Sequence, residues 1–289
     1  MQINFDHRSS VTPTAGSEIV FRRMGQGEKM LVMHGGSGSY RHWIRNLPLL
    51  AEHFACVALD LPGFGDSGDV APDISLEQYI DLVTEGVNLI WPEGEPFHVV
   101  GFSFGGMIGA GLAAHMNGRV RRLTLLGPGG MGKPKGEGPS VELLKARPGM
   151  EEEDILRVHR TNLENMMIRD ASRISDETVS LHRANIELAR FRNWGLSWTD
   201  SVVGFLAQMD IPAQFLIGEK DPMARPSVAH RLERVRAAKP DIHTHILAGV
   251  GHWAQYEAPE LVNGLLLRFH SPSELPARAG QEGDQELLA

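Results

Sequence analysis

Val99-Val100-Gly101-Phe102-Ser103-Phe104-Gly105-Gly106 constrains the architecture of this chain more than any other stretch. It reads as a buried strand ending in G-x-S-x-G and passing directly into a helix of small residues, roughly Met107 to Asn117. A serine on so sharp a strand-to-helix turn is held in a strained conformation with its hydroxyl exposed. Gly101 and Gly105 leave room for strand and helix to approach. The positive end of the helix points at Ser103, where negative charge would develop. The context is the required one: Phe97-His98-Val99-Val100 is strand-like, and Met107 to Ala114 is helix-compatible.

A nucleophilic serine needs a base, and the base needs an orienting acid. With this turn the acid comes next in the chain and the histidine last. Ala213 to Ile217 is an apolar strand running into Gly218-Glu219-Lys220-Asp221-Pro222, which places Asp221 just past a strand end. Glu219 is the nearby rival. His243 to Leu247 reads as a further strand, followed by Gly249-Val250-Gly251-His252-Trp253. Of the 13 histidines, His252 is the one in a glycine-bounded loop after the last strand. Ser103, Asp221 and His252 are therefore the candidate catalytic residues.

Lys29 to Met33 is a short strand leading into His34-Gly35-Gly36-Ser37-Gly38-Ser39, a motif that resembles the HG loop of lipases and esterases. The backbone N–H groups of Gly36 and Phe104 are the candidate oxyanion donors. Gly63-Phe64-Gly65-Asp66-Ser67-Gly68 matches G-x-G-x-x-G, but Asp69 to Asp73 is loop chemistry and the next helix starts only near Ser75. A dinucleotide site would need the helix to open within the motif. There is no Walker A sequence and no His/Cys cluster with zinc spacing, so no cofactor and no metal is expected.

A chain of 289 residues suits one large α/β domain carrying an insertion. The hydrophobic fraction of 42% supports a sizeable core, and a net charge of −8 without a basic tract argues against a nucleic-acid partner. Cys56 stands alone, within the strand Phe54 to Leu59, and reads as a buried inert thiol. No signal peptide or apolar span is visible, so the expectation is a cytoplasmic protein without membrane contact. The expected partner is a small-molecule substrate, and the sequence leaves a homo-oligomer open.

Strands and helices alternate from Glu18 to about Leu126, with strands at Glu18–Arg23, Lys29–Met33, Phe54–Leu59, Phe97–Phe102 and Val120–Leu126. Residues 1–16 read as a loose leader. After the breaker Gly127-Pro128-Gly129-Gly130 the character changes, with helix-like segments at Glu151–Arg169 and Ser175–Phe191. Alternation resumes at Pro212 and ends in a helix near Pro259–His270. The expected organisation is a core of residues 1–130 and 209–270, a helical cap over 131–208, and a disordered tail over 271–289. Met166, Met167, Phe191, Trp194, Trp198 and Phe205 are candidate apolar lining from the cap.

Over roughly residues 17 to 270 the chain resembles the α/β-hydrolase fold superfamily. The motifs that carry this are His34-Gly35-Gly36, Asp60 to Ser67, Gly101 to Gly106, Gly218-Glu219-Lys220-Asp221 and Gly251-His252-Trp253. The resemblance implies an α/β fold: a mostly parallel central sheet with helices on both faces and an inserted helical cap. It also implies a Ser-His-Asp hydrolase. Gly251-His252-Trp253-Ala254-Gln255-Tyr256-Glu257 looks in addition like the end of the meta-cleavage-product hydrolases, which cleave a carbon–carbon bond in dienoates made by aromatic ring fission. In that family a cap-helix arginine binds the acidic end of the substrate, and Arg183 falls in a similar place. Trp253 would match the tryptophan after the catalytic histidine. Phe102 stands where that family usually carries asparagine, and Ser37 lies in a loop that usually reads HGGGPG; both positions would contact substrate. The expected function is hydrolysis of a small, partly apolar carbonyl substrate, with ring-fission dienoates as the narrower reading. The alternatives are a carboxylesterase or lactonase and a non-catalytic binding module.

Overall fold

The computed structural model describes residues 3–91, 94–116, 118–132, 143–271 and 287–288. Its centre is one sheet. The strands are β1 (His7–Val11), β2 (Ile19–Met24), β3 (Glu28–Met33), β4 (Phe54–Leu59), β5 (Phe97–Phe102), β6 (Val120–Leu126), β7 (Ala213–Gly218), β8 (His243–Leu247) and β9 (Leu287–Leu288). Their spatial order is β1-β2-β4-β3-β5-β6-β7-β8-β9. Pairing is antiparallel for β1 with β2 and β2 with β4, and parallel from β4 onward. This is the expected α/β architecture.

Successive side chains of a strand face opposite ways, so a central strand must be apolar on both faces. β3 does this: Leu31 and Met33 enter one core cluster with Val99 and Phe215, while Met30 and Val32 enter the other with Cys56 and Val100. Every residue of β5 is buried. The two clusters are the two layers between sheet and helices.

The helices follow from local signals. α1 (Leu47–Leu50) opens with Pro48 in its first turn. α2 (Leu76–Ile90) starts at a capping box formed by Ser75 and Gln78, and buries Tyr79, Ile80, Val83 and Val87 along one stripe. α3 (Phe104–His115) is buried all round through Ala113. Its glycines make that approach feasible, since a Cβ on Gly111 would stand 2.3 Å from Ile80. Between β6 and β7 lie α4 (Glu152–Asn162), a π-helical turn at Leu163–Met167, α5 (Asp176–Glu187), α6 (Trp194–Ser197) and α7 (Ser201–Leu206). Val202 and Leu206 of α7 join the same core cluster as α3. α8 (Val228–Ala238), α9 (Ala254–Glu257) and α10 (Pro259–His270) complete the chain around β8.

The structure differs from the expectations in four places. The leader is not loose throughout: His7–Val11 pairs antiparallel with β2, His7 opposite Arg23 and Val11 opposite Ile19. As a largely exposed edge strand of sequence HRSSV it carries no apolar alternation to betray it. The helix after Ser103 begins at Phe104 rather than near Met107, so Gly105 and Gly106 lie in its first turn. Glu151–Arg169 is not one helix; it changes to π geometry at Leu163. Of the tail expected to be disordered, residues 272–286 and 289 lie outside the described residues, and Leu287–Leu288 pairs with Ile246–Leu247.

The G-x-G-x-x-G stretch is a turn that fastens the insertion to the core. The carbonyl of Gly63 accepts from Arg190 N at 3.0 Å and from Phe191 N at 3.1 Å. A Cβ on Gly63 would meet Phe191 at 2.4 Å.

Candidate active site

Ser103 sits between β5 and α3 with φ 50° and ψ −114°. It and Ser37 are the non-glycine residues with positive φ among those described, and both line the same cavity. Backbone strain of this kind costs on the order of 1–3 kcal/mol and persists only where the surroundings enforce it. Here they do: a Cβ on Gly101 would stand 2.4 Å from the Gly105 carbonyl oxygen, and one on Gly105 2.3 Å from that of His34. The Ser103 carbonyl accepts from the N–H groups of Gly106, Met107 and Gly129 at 2.9–3.2 Å.

The structure brings the three candidates from distant parts of the chain into one hydrogen-bonded row. His252 Nε2 lies 3.0 Å from Ser103 Oγ, and His252 Nδ1 lies 2.8 Å from Asp221 Oδ2. Asp221 and His252 are each 6% exposed. The other carboxylate oxygen of Asp221 accepts from Met223 N at 2.8 Å, which fixes the acid's orientation. Glu219 does a different job: it accepts from Gly249 N at 2.8 Å and pairs with Lys220, bracing the turn after β8. These bonds hold its carboxyl below the usual carboxylate range.

Two buried histidines shape the HG loop. Leu61 N donates to His34 Nε2 at 2.8 Å, and His34 Nδ1 lies 2.7 Å from the Gly35 carbonyl oxygen, a pattern that fits a neutral ring protonated at Nδ1. Gly35 N donates to His42 Nδ1 at 3.2 Å. Burial pushes both pKa values down, that of His42 well below the usual range. Gly35 abuts the nucleophile residue, since a Cβ there would stand 3.1 Å from that of Ser103. Gly36 lines the cavity. Phe104 is the first helical residue, so its N–H belongs to the first turn, which has no partner within its own helix.

Phe102 and Ser37 also line the cavity. The Phe102 ring stands 4.9 Å from that of His252, centre to centre. Met166, Met167, Trp194 and Trp198 contribute lining from the insertion. Phe191 instead packs on Tyr79 in the core, stacked at 5.7 Å, and Phe205 lies beside Gly111 of α3.

Two expected substrate contacts need correction. Arg183 does not line the cavity. Its guanidinium pairs with Glu187 at 2.7 Å and with Glu152, because α4 and α5 present carboxylates on the same outer face. Trp253 is fully buried and away from the cavity: its indole N–H donates to the His42 carbonyl at 2.9 Å, and its ring stacks on Tyr256 at 4.0 Å. It steadies the HG loop rather than touching a ligand. Arg183→Ala is accordingly expected to change kcat/KM by less than about threefold for acidic and neutral substrates alike, as for other surface pairs. Steady-state assays on both classes check this; a loss above roughly tenfold confined to the acidic substrate would return Arg183 to the site.

The sequence reading missed four residues that matter to this geometry. Asn193 and Ser197 are bonded to each other at 2.8 Å and line the cavity opposite Gly36. Arg231 of α8 is buried in the cavity wall; its one signal is that it shares the inward face of α8 with Val235, four residues on. Glu257 accepts from the N–H groups of Gly251, Arg169 and Asp170 at 2.7–3.0 Å, tying the His252 loop to the insertion. No cluster of His, Cys, Asp and Glu among the described residues could hold a metal ion. No helix among them is long and apolar enough to cross a membrane.

A parallel sheet with a strained serine on the turn after β5, faced by histidine and carboxylate from the loops after β8 and β7, defines a hydrolase class. The chain belongs to the Alpha/beta hydrolase family, whose family model matches residues 30–265. It is 29% identical over 269 residues to a 2-hydroxy-6-oxononadienedioate/2-hydroxy-6-oxononatrienedioate hydrolase of Comamonas testosteroni, covering 85% of this chain and 88% of that one. A 2-hydroxy-6-oxo-6-phenylhexa-2,4-dienoate hydrolase of Burkholderia cepacia is 27% identical over 263 residues, with the same coverage of both chains. The fold is shared with the meta-cleavage product hydrolase of Pseudomonas fluorescens IP01. That likeness has a TM-score of 0.69 and 22% identity, over 92% of this chain and 98% of that one. It is shared equally with the esterase RhEst1 of Rhodococcus sp. ECU1013, at a TM-score of 0.73 and 21% identity over 91% and 98%.

Proposed function

We propose that this chain is a serine-dependent hydrolase that cleaves a carbon–carbon bond in dienoates made by aromatic ring fission. The observation that carries the reading is the hydrogen-bonded row of Ser103, His252 and Asp221 opening into a cavity roofed by the insertion. The two dienoate hydrolases that match over 85% of the chain support the substrate class. Residues 131–208 are the cap in this reading, residues 1–130 and 209–270 the core. A cytoplasmic location fits Cys56, whose burial raises the thiol pKa to about 12 and keeps it inert.

In the proposed mechanism Asp221 holds His252 in the tautomer that leaves Nε2 free to accept a proton. The substrate's dienol first ketonises, which turns the bond to be broken into one between a carbonyl carbon and a carbon that can leave as a stabilised carbanion equivalent. Ser103 Oγ attacks the carbonyl as its proton passes to His252. The N–H groups of Gly36 and Phe104 stabilise the oxyanion. Collapse breaks the carbon–carbon bond, His252 returns the proton to the leaving carbon, and the acyl group stays on Ser103. Water, deprotonated by His252, then releases the acid.

One observation favours a second reading, a carboxylesterase for small neutral esters: Arg183 faces outward, so the expected cap anchor for an acidic substrate is missing. A 2-hydroxy-6-oxo dienoate assayed beside short-chain nitrophenyl esters separates the two. The proposal expects kcat/KM for the dienoate to exceed that for the esters by about a hundredfold or more. A clear preference for the esters would replace it with the esterase reading.

A further inference from the structure

The outward turn of Arg183 leaves a pocket for an acidic substrate without the cation expected of it, and the wall supplies another. Arg231 is 7% exposed and is the only Lys, Arg, Asp or Glu side chain in the lining among the described residues. Its guanidinium donates to two neutral acceptors, the carbonyls of Pro128 at 2.9 Å and Met223 at 2.6 Å. Those bonds use two of its five N–H groups, and its buried Nε–H has no partner among the described residues. No carboxylate within that set pairs with it. Asp221 is near enough to act on its charge, but both oxygens of Asp221 are committed, one to His252 and one to Met223 N.

A buried guanidinium hydrogen-bonded only to carbonyls, with Asp221 acting on it at longer range, is incompletely compensated, and an anion entering the cavity would complete the compensation. The carbonyls of Pro128 and Met223 fix the plane of the fork on two loops that flank Asp221 and His252. That suits recognition of a planar carboxylate through paired hydrogen bonds.

We propose that Arg231, from the core helix α8 rather than from the cap, is the specificity-determining cation of this pocket and selects substrates bearing a carboxylate. This deepens the dienoate reading and rests on the cavity being the substrate site. Arg231 does not act on the reacting atoms; it decides which acyl or ketone chains are held against Ser103.

Calorimetric titration of the full chain with hexa-2,4-dienoate and with its neutral amide tests this without any bond being cleaved. The wild type is expected to bind the carboxylate about tenfold or more tighter than the amide, as a charge-assisted pair would give. Arg231→Gln should bring the ratio of the two affinities close to one, and Arg231→Lys should leave an intermediate ratio. A purely bracing role for Arg231 would weaken both ligands together and leave the ratio unmoved. An unchanged ratio in Arg231→Gln overturns the proposal. So does a wild type that binds the carboxylate no better than the amide, including no measurable binding of either, and this arm stands even if the glutamine variant does not fold. Because no turnover is read, the proposal can fail while dienoate hydrolysis stands, and it can stand while that hydrolysis fails.

Discussion

Ser103→Ala should fold as the wild type does and lose at least about 10³-fold in kcat/KM, since a nucleophile of this kind is worth several orders of magnitude. Stability should be little affected for a specific reason. The strain at φ 50° belongs to the backbone between Gly101 and Gly105, and alanine carries the same Cβ as serine. The variant loses one hydrogen bond, to His252. Thermal melts beside steady-state kinetics check both halves. A variant retaining more than about a tenth of wild-type turnover would remove Ser103 from its proposed role.

Asp221→Asn is expected to be nearly as damaging, with a fall of roughly 10³–10⁴-fold at neutral pH. The carboxylate faces His252 Nδ1 at 2.8 Å and receives Met223 N on its other oxygen. An asparagine that keeps its oxygen on Met223 N must present its NH₂ to His252. The ring then takes up the opposite tautomer, with its proton on Nε2 facing Ser103, where it can no longer accept one. Glu219→Gln should fall far less, because Glu219 is bonded to Gly249 N and Lys220 and not to the histidine. Turnover measured for the pair of variants decides between the carboxylates; greater damage from the glutamine change would show that the wrong one had been assigned.

The parts of the site legible from sequence were those where chemistry restricts the backbone as well as the side chain. Gly101 and Gly105 could be read because a Cβ at either would strike neighbouring backbone, and Asp221 and His252 because each stands in a loop after a strand in a set order. The central strands were legible for a related reason: β4 and β5 fall at the expected bounds because burial on both faces demands nearly continuous apolar runs. The edge strand β1 lacks that demand and left no pattern. Arg183 and Trp253 were misjudged because their place in the chain was informative and their direction was not. Two glutamates on neighbouring helices hold the arginine outward, and the carbonyl of His42 draws the indole inward. Arg231 carries no motif of its own, and only the carbonyls of Pro128 and Met223, far apart in sequence, give it a place. Glu257 was equally hidden, since Arg169 and Asp170 reach it from far away in the chain, and so was Asn193, which stands against the distant Gly36.

A serine made nucleophilic by His252 and Asp221 should react covalently with a fluorophosphonate, and mass mapping of the labelled chain tests this most directly. A single adduct is expected on the peptide carrying Ser103, absent from Ser103→Ala and strongly slowed in Asp221→Asn. A folded wild type that takes up no label, or one labelled at another serine and still labelled in Ser103→Ala, would contradict it.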